Sequence, residues 1–354
     1  MSINVGIIGA GQIAKDHCRN IAGHPEARLA AVADISRERR EQLRDEFGMD
    51  RAYASWQDLL ADRELDAVAI ALPNSLHAPV TIAALEAGKH VLLDKPFTLN
   101  YREASKVVAV ARRRRKLLML GMNRRYVKEA QELRALVERG ELGDIYHARV
   151  CWMRRCGSPR FGTWFVNKKL AGGGCMLDIG VHMLDLAMHL MGNWQPAAVS
   201  GRVYSLFGPR GLGEGNWGKS DRSDRVKFDV DDGAYAFIKF RNGATLDLGV
   251  AWVQHQEQAD RCGLELFGTE AGAAMSPLKL FRAARRKGEY EVVQPQNVKL
   301  KQVYSNRQAN WLDAILGRAR PLCTLEQALV VQRTLDAIYA SSDSGREVRL
   351  PARR

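Results

Sequence analysis

The chain has 354 residues, 46% of them hydrophobic and 26% charged, which is an ordinary composition for a globular protein and long enough for about two domains. Its formal net charge of +13 could attract nucleic acid or membranes. However, the basic residues are spread widely, and the one dense block, 112–116, ends a predicted helix, where cations suit the helix dipole. No apolar run approaches the length of a membrane span, no leader-like segment precedes the first strand, and the six cysteines show neither metal nor disulfide spacing. We therefore expect a cytoplasmic protein with reduced thiols, no bound metal, and neither nucleic acid nor a membrane as partner.

The first predicted strand leads into a glycine-rich turn. Residues 3–8 form a short apolar run, Gly9-Ala10-Gly11-Gln12-Ile13-Ala14 follows directly, and a helical pattern then extends to Gly23. In this context a G-x-G-x-x-A turn lets the chain turn tightly, brings its backbone close to a pyrophosphate and points a helix N-terminus at the negative charge. We therefore predict that a dinucleotide binds Gly9, Gly11, Gln12, Ile13 and Ala14.

The second predicted strand, 28–33, ends in Asp34. A carboxylate at this position can accept hydrogen bonds from the adenosine ribose hydroxyls, and it would repel a 2′-phosphate, so it favours NAD. Arg37, Arg39 and Arg40 follow closely and could make room for NADP. The sequence therefore predicts NAD and leaves NADP open.

Two polar clusters follow later strands of the same half. The apolar strand 67–72 ends in Pro73-Asn74-Ser75-Leu76-His77, and strand 90–93 ends in Asp94-Lys95-Pro96. Ligands of doubly wound sheets bind outside the carboxyl ends of the strands. We therefore expect cofactor contacts from Pro73, Asn74, His77, Asp94, Lys95 and Pro96, with a fixed turn and a candidate cis bond at the proline. A last strand at 117–120 completes a doubly wound parallel sheet, which predicts a nucleotide-binding domain over residues 1–122.

From Asn123 onward the pattern changes. A helix at 128–139 leads into a long alternating run at 145–155, and strand-like runs then recur between 197 and 293. Asn242-Gly243 between two of these runs is a strong hairpin signal. Adjacent strands after an α/β half indicate an antiparallel sheet, so we predict an α+β substrate-binding domain over residues 123–354. The loop-like stretch 207–228 contains Trp217, a candidate for a lid contact or for an intersubunit contact.

The stretch 172–192 is the most distinctive part of this second half. Three glycines open it, an apolar run of helical length follows, and a glycine stands where the helix would end. Asp178, His182, Asp185 and His189 fall on one narrow stripe at about 100° per residue. Because a carboxylate raises the pKa of a neighbouring imidazole toward the range of a general acid or base, we predict catalytic use of the first Asp and His. His189 is interpreted as a core residue.

A basic and aromatic segment precedes the three glycines. Its candidate ligand-binding residues are Trp152, Arg154, Arg155, Arg160 and Trp164. Aromatic faces and guanidinium groups would suit a sugar, including a sugar with an anionic group. The same residue types also fit a sheet face or the protein surface, and the sequence leaves both interpretations open.

Together, these motifs resemble the Gfo/Idh/MocA oxidoreductases over essentially the whole chain. The residues that carry the resemblance are the turn at 9–14, the 73–77 loop, Asp94-Lys95-Pro96, and the three glycines followed by Asp178-x-x-x-His182-x-x-Asp185. It implies a Rossmann domain followed by an α+β domain with a large, mostly antiparallel open sheet, commonly used to form homodimers or homotetramers. It also implies an NAD(P)-dependent dehydrogenase for a secondary alcohol of a sugar, glycoside or inositol-like cyclic polyol.

The resemblance also implies roles for single residues. Lys95, Asp178 and His182 match a catalytic set like that of inositol dehydrogenases, and Asp185 matches a carboxylate that holds substrate hydroxyls in some members. The family usually has Glu where this chain has Asp94, which we expect to keep its structural role beside the cofactor. Arg125 is also expected to contact the cofactor. The full set expected at the substrate is Lys95, Arg125, Tyr126, Arg154, Trp164, Asp178, His182 and Asp185.

Oxidation of a secondary alcohol requires a proton acceptor and a positive charge beside the developing alkoxide. We expect His182 to accept the hydroxyl proton, Asp178 to orient the imidazole and Lys95 to stabilise the alkoxide. Lys95 could instead accept the proton, since a partly desolvated lysine can titrate near neutrality. Two other classes stay open: an NAD-dependent glycoside hydrolase that oxidises its sugar transiently, and a non-catalytic NAD-binding regulator. The intact catalytic set favours simple redox chemistry over both.

Overall fold

The computed structural model describes residues 2–215, 227–284 and 288–352, so the candidate lid residue Trp217 lies outside the described residues. The chain divides into two compact units. The first unit combines Met1–Asn123 with Tyr304–Leu329, and the second combines Arg124–Val303 with Val330–Arg354. Each unit is built on a β-sheet of its own.

The first unit contains a parallel sheet. Its strands are β1 (Ile3–Ile8), β2 (Ala27–Ala33), β3 (Arg51–Tyr53), β4 (Ala67–Ile70), β5 (His90–Leu93) and β6 (Leu118–Leu120). Its first helices are α1 (Gln12–Ala22), α2 (Arg37–Phe47), α3 (Trp56–Ala61), α4 (His77–Glu86) and α5 (Tyr101–Arg114). The strand order β3-β2-β1-β4-β5-β6 reverses beside β1, as in doubly wound sheets. Every residue of β4 is buried, as expected for a strand covered on both faces. The predicted Rossmann sheet is confirmed.

The second unit contains a nine-stranded sheet. Its strands are β7 (Ile145–Arg154), β8 (Pro196–Tyr204), β9 (Gly233–Phe240), β10 (Thr245–Ala251), β11 (Asp260–Gly268), β12 (Ala271–Ala274), β13 (Lys279–Ala283), β14 (Tyr290–Val293) and β15 (Val348–Arg349). The order is β14-β13-β12-β11-β7-β10-β9-β8-β15, and each pair is antiparallel except β7 with β10. Gly243, at φ +89°, makes the predicted hairpin turn between β9 and β10. The mostly antiparallel sheet is confirmed.

Helices cover one face of this sheet. Helix α8 (Val181–Met191) packs on β7 and β10, and α6 (Lys128–Glu138) packs on α8. The short α7 (Lys168–Ala171) precedes the three glycines. Inward-facing residues of β7 and β10, such as Val150 and Leu248, are buried. The stretch predicted as one helix over 172–192 is not uniform, because Met176–Gly180 forms a π-helix before α8 begins. The angular spacing of about 100° per residue therefore applies only within α8, and Asp178 precedes the regular stripe.

The chain returns to the first unit near its C-terminus. Helix α9 (Arg307–Ile315) places Trp311 and Leu312, both fully buried, in the same core as Val5 and Ile21. The sequence analysis expected residues 304–329 in the second domain, so the predicted boundary differs from the structure there. The physical reason is that the apolar residues of α9 complete the core of the first unit beside α1. Helix α10 (Leu325–Ser344) then follows.

One stretch among the described residues, Lys168–Met191, is long and apolar enough to cross a membrane, which the sequence analysis did not expect. Within its apolar 18-residue window, 83% is buried inside the protein, as in a core helix. All six cysteines lie within the described residues, and none of them forms a disulfide.

Candidate active site

The glycine turn between β1 and α1 has the geometry of a dinucleotide-binding turn. Gly9 has φ +97°, and a Cβ at this position would overlap the carbonyl oxygen of Ala71, so only glycine fits. Gly11 caps α1, and a Cβ there would meet nothing within 4 Å. The first turn of α1 carries no acidic residue, and its Ala14 is fully buried. The open, positive N-terminus of α1 therefore fits a pyrophosphate.

Asp34, at the end of β2, is fixed against this turn. Its Oδ2 accepts a hydrogen bond from the Ala10 backbone N–H at 2.8 Å, and its Oδ1 accepts one from the Ser36 N–H at 2.8 Å. The Arg39 guanidinium lies 3.2 Å from Oδ1 and is largely exposed. The carboxylate is thus held beside the glycine turn, where it fits the ribose of NAD. The Arg39 guanidinium beside this carboxylate could also bind the 2′-phosphate of NADP.

The two polar strand-end clusters are joined through His77. This residue is 1% exposed, and its Nδ1 lies 2.7 Å from the Pro96 carbonyl oxygen while its Nε2 lies 3.0 Å from that of Leu72. Burial lowers the pKa of the imidazole. The Lys95-Pro96 peptide bond is cis. His77 therefore connects the loop after β4 to the turn that carries Lys95.

Asp94 is held by a residue that the sequence analysis did not single out. The Arg307 guanidinium donates to Asp94 Oδ1 at 3.0 Å, to the Gly121 carbonyl at 2.9 Å and to Asp16 Oδ2 at 3.1 Å. Burial alone would raise the pKa of the Asp94 carboxyl, but the charge of Arg307 holds it well below its usual range. Asp94 also accepts from the Lys95 backbone N–H at 2.9 Å. Asp94 thus couples α9 to the backbone of Lys95.

Asp178 and His182 lie in the second unit, around two tryptophans. The Trp252 indole N–H donates to Asp178 Oδ2 at 2.9 Å. His182 is 7% exposed, and its ring centre lies 6.3 Å from that of Trp152. Because Trp152 is on β7 and Trp252 directly follows β10, two neighbouring parallel strands place the indoles that flank the predicted acid–base pair.

Trp152 is also surrounded by charge. The guanidinium carbons of Arg124 and Arg154 lie 4.3 and 4.6 Å from its ring centre, as in cation–π contacts. Its indole N–H donates to Asp260 at 3.0 Å, and Arg154 is cross-strand from that carboxylate. The end of the helix-covered sheet face therefore carries two guanidinium groups and one carboxylate beside His182.

Arg125 and Asp185, both expected at the substrate, bond each other. Arg125 is fully buried and Asp185 is 1% exposed. The guanidinium donates from Nε and Nη2 to the two carboxylate oxygens at 2.8 and 2.6 Å. Burial and the charges of Arg125 and Arg134 lower the pKa of His189 well below its usual range, so this histidine stays neutral in the core.

Two further residues expected at the substrate, Tyr126 and Trp164, differ in their surroundings. Tyr126 is buried, and its carbonyl oxygen accepts from Gln131 at 2.9 Å. Trp164 is half-buried and stacks on Phe165, with ring centres 3.8 Å apart. Within the described ranges, no group of three or more His, Cys, Asp or Glu side chains could hold a metal ion.

Comparison with known proteins assigns both halves of the chain to one family. Residues 3–122 match the NAD-binding Rossmann fold of the Gfo/Idh/MocA oxidoreductase family, and residues 130–274 match its C-terminal domain. D-Glucoside 3-dehydrogenase of Escherichia coli is 29% identical over 98% of this chain and 97% of its own length. Levoglucosan dehydrogenase of Pseudarthrobacter phenanthrenivorans is 29% identical over 69% of this chain and 66% of its own length. A crystallised NAD-binding protein from Listeria innocua superposes with a TM-score of 0.80 at 26% identity, covering 99% of this chain and 97% of its own.

Proposed function

This chain belongs to the Gfo/Idh/MocA family of NAD-binding oxidoreductases, and we propose that it transfers a hydride between NAD and a secondary alcohol or ketone of a sugar, glycoside or inositol-like cyclic polyol. One observation carries the proposal. Lys95, Asp178 and His182 are all present in a chain that aligns with a D-glucoside 3-dehydrogenase over almost its whole length. Sugar-derived substrates also appear in the name of the levoglucosan relative.

The glycine turn and Asp34 fit the cofactor on the grounds of space, backbone conformation and charge. We assign the pyrophosphate to the backbone of residues 9–14 and the ribose hydroxyls to Asp34. The 73–77 loop and the Lys95-Pro96 turn contribute the remaining contacts. When bound, NAD supplies the acceptor for the hydride. The roles of His77 and Asp94 are then indirect, because each is buried and holds the turn that carries Lys95.

In the proposed mechanism, His182 accepts the hydroxyl proton at an imidazole nitrogen while Asp178 orients the ring. The Trp252 N–H fixes one oxygen of Asp178, which restricts the carboxylate to one orientation. The ammonium group of Lys95 stabilises the negative charge that develops on the substrate oxygen. Lys95 as the proton acceptor remains the alternative assignment.

For the substrate, we assign direct contacts to Tyr126, Arg154 and Trp164 beside the catalytic residues. The guanidinium groups around Trp152 favour a hydroxyl-rich substrate and leave room for one with an anionic group. Arg125 and Asp185 take a positioning role in this proposal, because a fully buried guanidinium already uses both oxygens of its carboxylate partner.

We also propose a cytoplasmic homodimer or homotetramer that associates through the open face of the nine-stranded sheet. This face presents large side chains to solvent at alternate positions of β9, namely Tyr235 and Phe237, which are 44% and 37% exposed. Exposed aromatic side chains on a sheet face are typical of a protein contact. Sedimentation of the purified protein would measure the assembly, and a monomer at all concentrations would exclude it.

The proposal is tested by a substrate screen. Purified protein is mixed with NAD or NADP and with inositols, aldoses, glycosides or sugar phosphates, and absorbance is followed at 340 nm. Net NADH formation with one of these classes supports the dehydrogenase. A 4-nitrophenyl glycoside separates the alternatives: nitrophenol release without net NADH indicates a hydrolase. Tight NAD binding without either signal indicates a regulator.

A further inference from the structure

A buried carboxylate outside the predicted catalytic set holds the turn at which the Asp178 helix begins. Asp231, 5% exposed, accepts hydrogen bonds at Oδ1 from the Gly174 N–H at 2.7 Å and at Oδ2 from the Met176 N–H at 2.9 Å. Its own carbonyl oxygen accepts from the Cys175 N–H at 2.8 Å. One residue therefore satisfies three successive N–H groups that a helix start leaves without partners.

Tyr339, on α10, completes this arrangement. Its hydroxyl donates to Asp231 Oδ1 at 2.8 Å, and the Cys175 thiol lies 3.3 Å from Oδ2. Burial and the Asp231 charge raise the pKa values of the Tyr339 hydroxyl and of the thiol, so both stay protonated and can donate.

The turn fits this cluster without spare room. A Cβ on Gly173 would overlap the Tyr339 hydroxyl, and a Cβ on Gly174 would overlap the Asp231 carbonyl oxygen. Neither glycine has the positive φ that would by itself demand glycine. The glycine pair is therefore explained by close approach to Asp231 and Tyr339.

Asp231 and Asp232, which we call the acidic segment, are linked to Asp178 by two routes. Along the helix, the Asp178 N–H donates to the Gly174 carbonyl at 3.0 Å, so the turn held by Asp231 bonds directly to the backbone of Asp178. Across the sheet, the backbone carbonyl of Asp232 accepts from the backbone N–H of Trp252 at 2.8 Å, and the indole N–H of Trp252 donates to the Asp178 carboxylate. Hydrogen bonds thus connect the backbone of Asp178 to Asp231 through the glycine turn, and its carboxylate to Asp232 through Trp252.

We propose that Asp231, together with Tyr339, is a positioning residue for the chemical step, which sets the location of Asp178 and, through it, the orientation of His182. The inference rests on the proposed function, because it assigns to the acidic segment the task of aligning an acid–base pair. It goes beyond that function by adding residues from the segment before β9 and from α10 that act through Asp178. A displacement of about 1 Å at reacting groups can cost about 100-fold in rate.

The test uses Tyr339→Phe, which removes one hydroxyl and keeps the ring, since replacing Asp231 itself could prevent folding. The matched control is Ser341→Ala on the same helix. The buried Ser341 hydroxyl accepts from the Gly201 N–H at 2.9 Å and donates to the Arg346 carbonyl at 2.7 Å, so it holds backbone away from the glycine turn.

Both variants are assayed well below their unfolding temperatures, so that a smaller folded fraction does not lower the rate. Tyr339→Phe is expected to lower kcat about tenfold, with KM for NAD and for substrate within about twofold of the wild-type values. Amide hydrogen exchange at residues 174–178 is expected to be faster than in the wild type. Ser341→Ala is expected to match the wild type in kcat, in KM and in the exchange of this segment.

A Tyr339→Phe enzyme whose kcat stays within about twofold of the Ser341→Ala control would overturn the inference. Unchanged exchange at residues 174–178 would overturn it as well. Failure of the proposed function is distinguishable, because the wild-type protein would then oxidise none of the substrates. Failure of the present inference leaves wild-type turnover intact and makes variant and control alike.

Discussion

Replacement of Arg307 by methionine tests how the C-terminal segment supports the turn that carries Lys95. Arg307 is 3% exposed, and its guanidinium donates to Asp94, to the Gly121 carbonyl and to Asp16. Methionine keeps much of the side-chain volume and removes every one of these donors. The Asp94 carboxylate would then remain in a buried position without its cationic partner.

Loss of one partner from a buried ion pair costs about 3–5 kcal/mol. For a unit of this size the loss corresponds to a fall in Tm of roughly 6–20 °C. Domain stabilities are about 5–15 kcal/mol, so the first unit should lose a large part of its free energy of unfolding. In the Arg307→Met variant, the first unit is therefore expected to unfold before the second unit does.

The effect should also depend on pH. In the wild-type protein the pKa of Asp94 lies below its unfolded value, so the carboxylate contributes stability above about pH 4 that is lost as the pH falls. Without Arg307, burial dominates and raises that pKa, so the carboxylate destabilises the fold at neutral pH and becomes harmless once protonated. The difference between wild type and variant is therefore largest near pH 7, starts to shrink as the pH falls through the raised pKa of the variant, and shrinks further below about pH 4.

Urea unfolding at a series of pH values measures this difference. Arg318→Met is the matched control, because Arg318 lies in the same segment and pairs with Glu26 at the exposed surface. Exposed pairs contribute little to stability, so the control should unfold nearly as the wild type does. A loss for Arg307→Met as small as that of the control, or a loss independent of pH, would refute the reasoning.

Three further predictions concern catalysis, cofactor choice and the second unit. Lys95→Ala and His182→Ala should each lower turnover by at least about 100-fold with NAD affinity, measured by titration, nearly unchanged, because each removes a group used in the chemical step; near-normal turnover in both would exclude the assignment. Asp34→Ala should weaken NAD relative to NADP, since it removes the ribose acceptor and the charge that repels a 2′-phosphate; an unchanged ratio of the two KM values would contradict this role. Asp185→Asn should cost about 3–5 kcal/mol in urea unfolding because it leaves the buried Arg125 charge without its carboxylate, and Asp185→Leu with Arg125→Met should cost less than the summed single variants.

The first sheet could be predicted because its signals are local. A buried parallel strand appears in the sequence as a continuous apolar run. The turn after β1 requires a φ of +97° at position 9, and this steric requirement appears in the sequence as Gly9. Asp34 and Lys95 could be selected as candidate binding residues because they follow the carboxyl ends of predicted strands, where ligands of such sheets bind. By contrast, β3, β12 and β15 have three, four and two residues. Such runs are too short to show a period, and unlike the equally short β4 and β6 none of them is an apolar run that contains large side chains.

The contacts that the sequence could not reveal join distant residues. Arg307 and Asp94 are 213 positions apart, and the helical pattern of α9 shows an apolar face without showing which core that face completes. For the same reason the sequence could place Arg125 and Asp185 at the substrate without showing that they bond each other. Each of these side chains has the residue type of a binding group, and a sequence does not show which distant side chain is its partner.

The helix after the three glycines was predicted in outline and corrected in detail. Its candidate residues were chosen by their spacing, which assumed a regular helix through Asp178. The turn that leads into the π-helix at Met176–Gly180 bonds to Asp231, which lies more than fifty positions further along the chain. Three glycines in a row were the available signal: close approach of another chain segment explains Gly173 and Gly174, and a positive φ at the end of α7 explains Gly172.

Hydride transfer itself is the most direct measurement. The purified protein is incubated with NAD and with methyl glucoside or myo-inositol carrying deuterium on every ring carbon, and the reduced cofactor is analysed by mass spectrometry. If the chain oxidises a ring alcohol as proposed, NADH forms and carries one deuterium from the substrate. NADH without deuterium, or no NADH from any deuterated sugar or polyol despite tight NAD binding, would contradict the account.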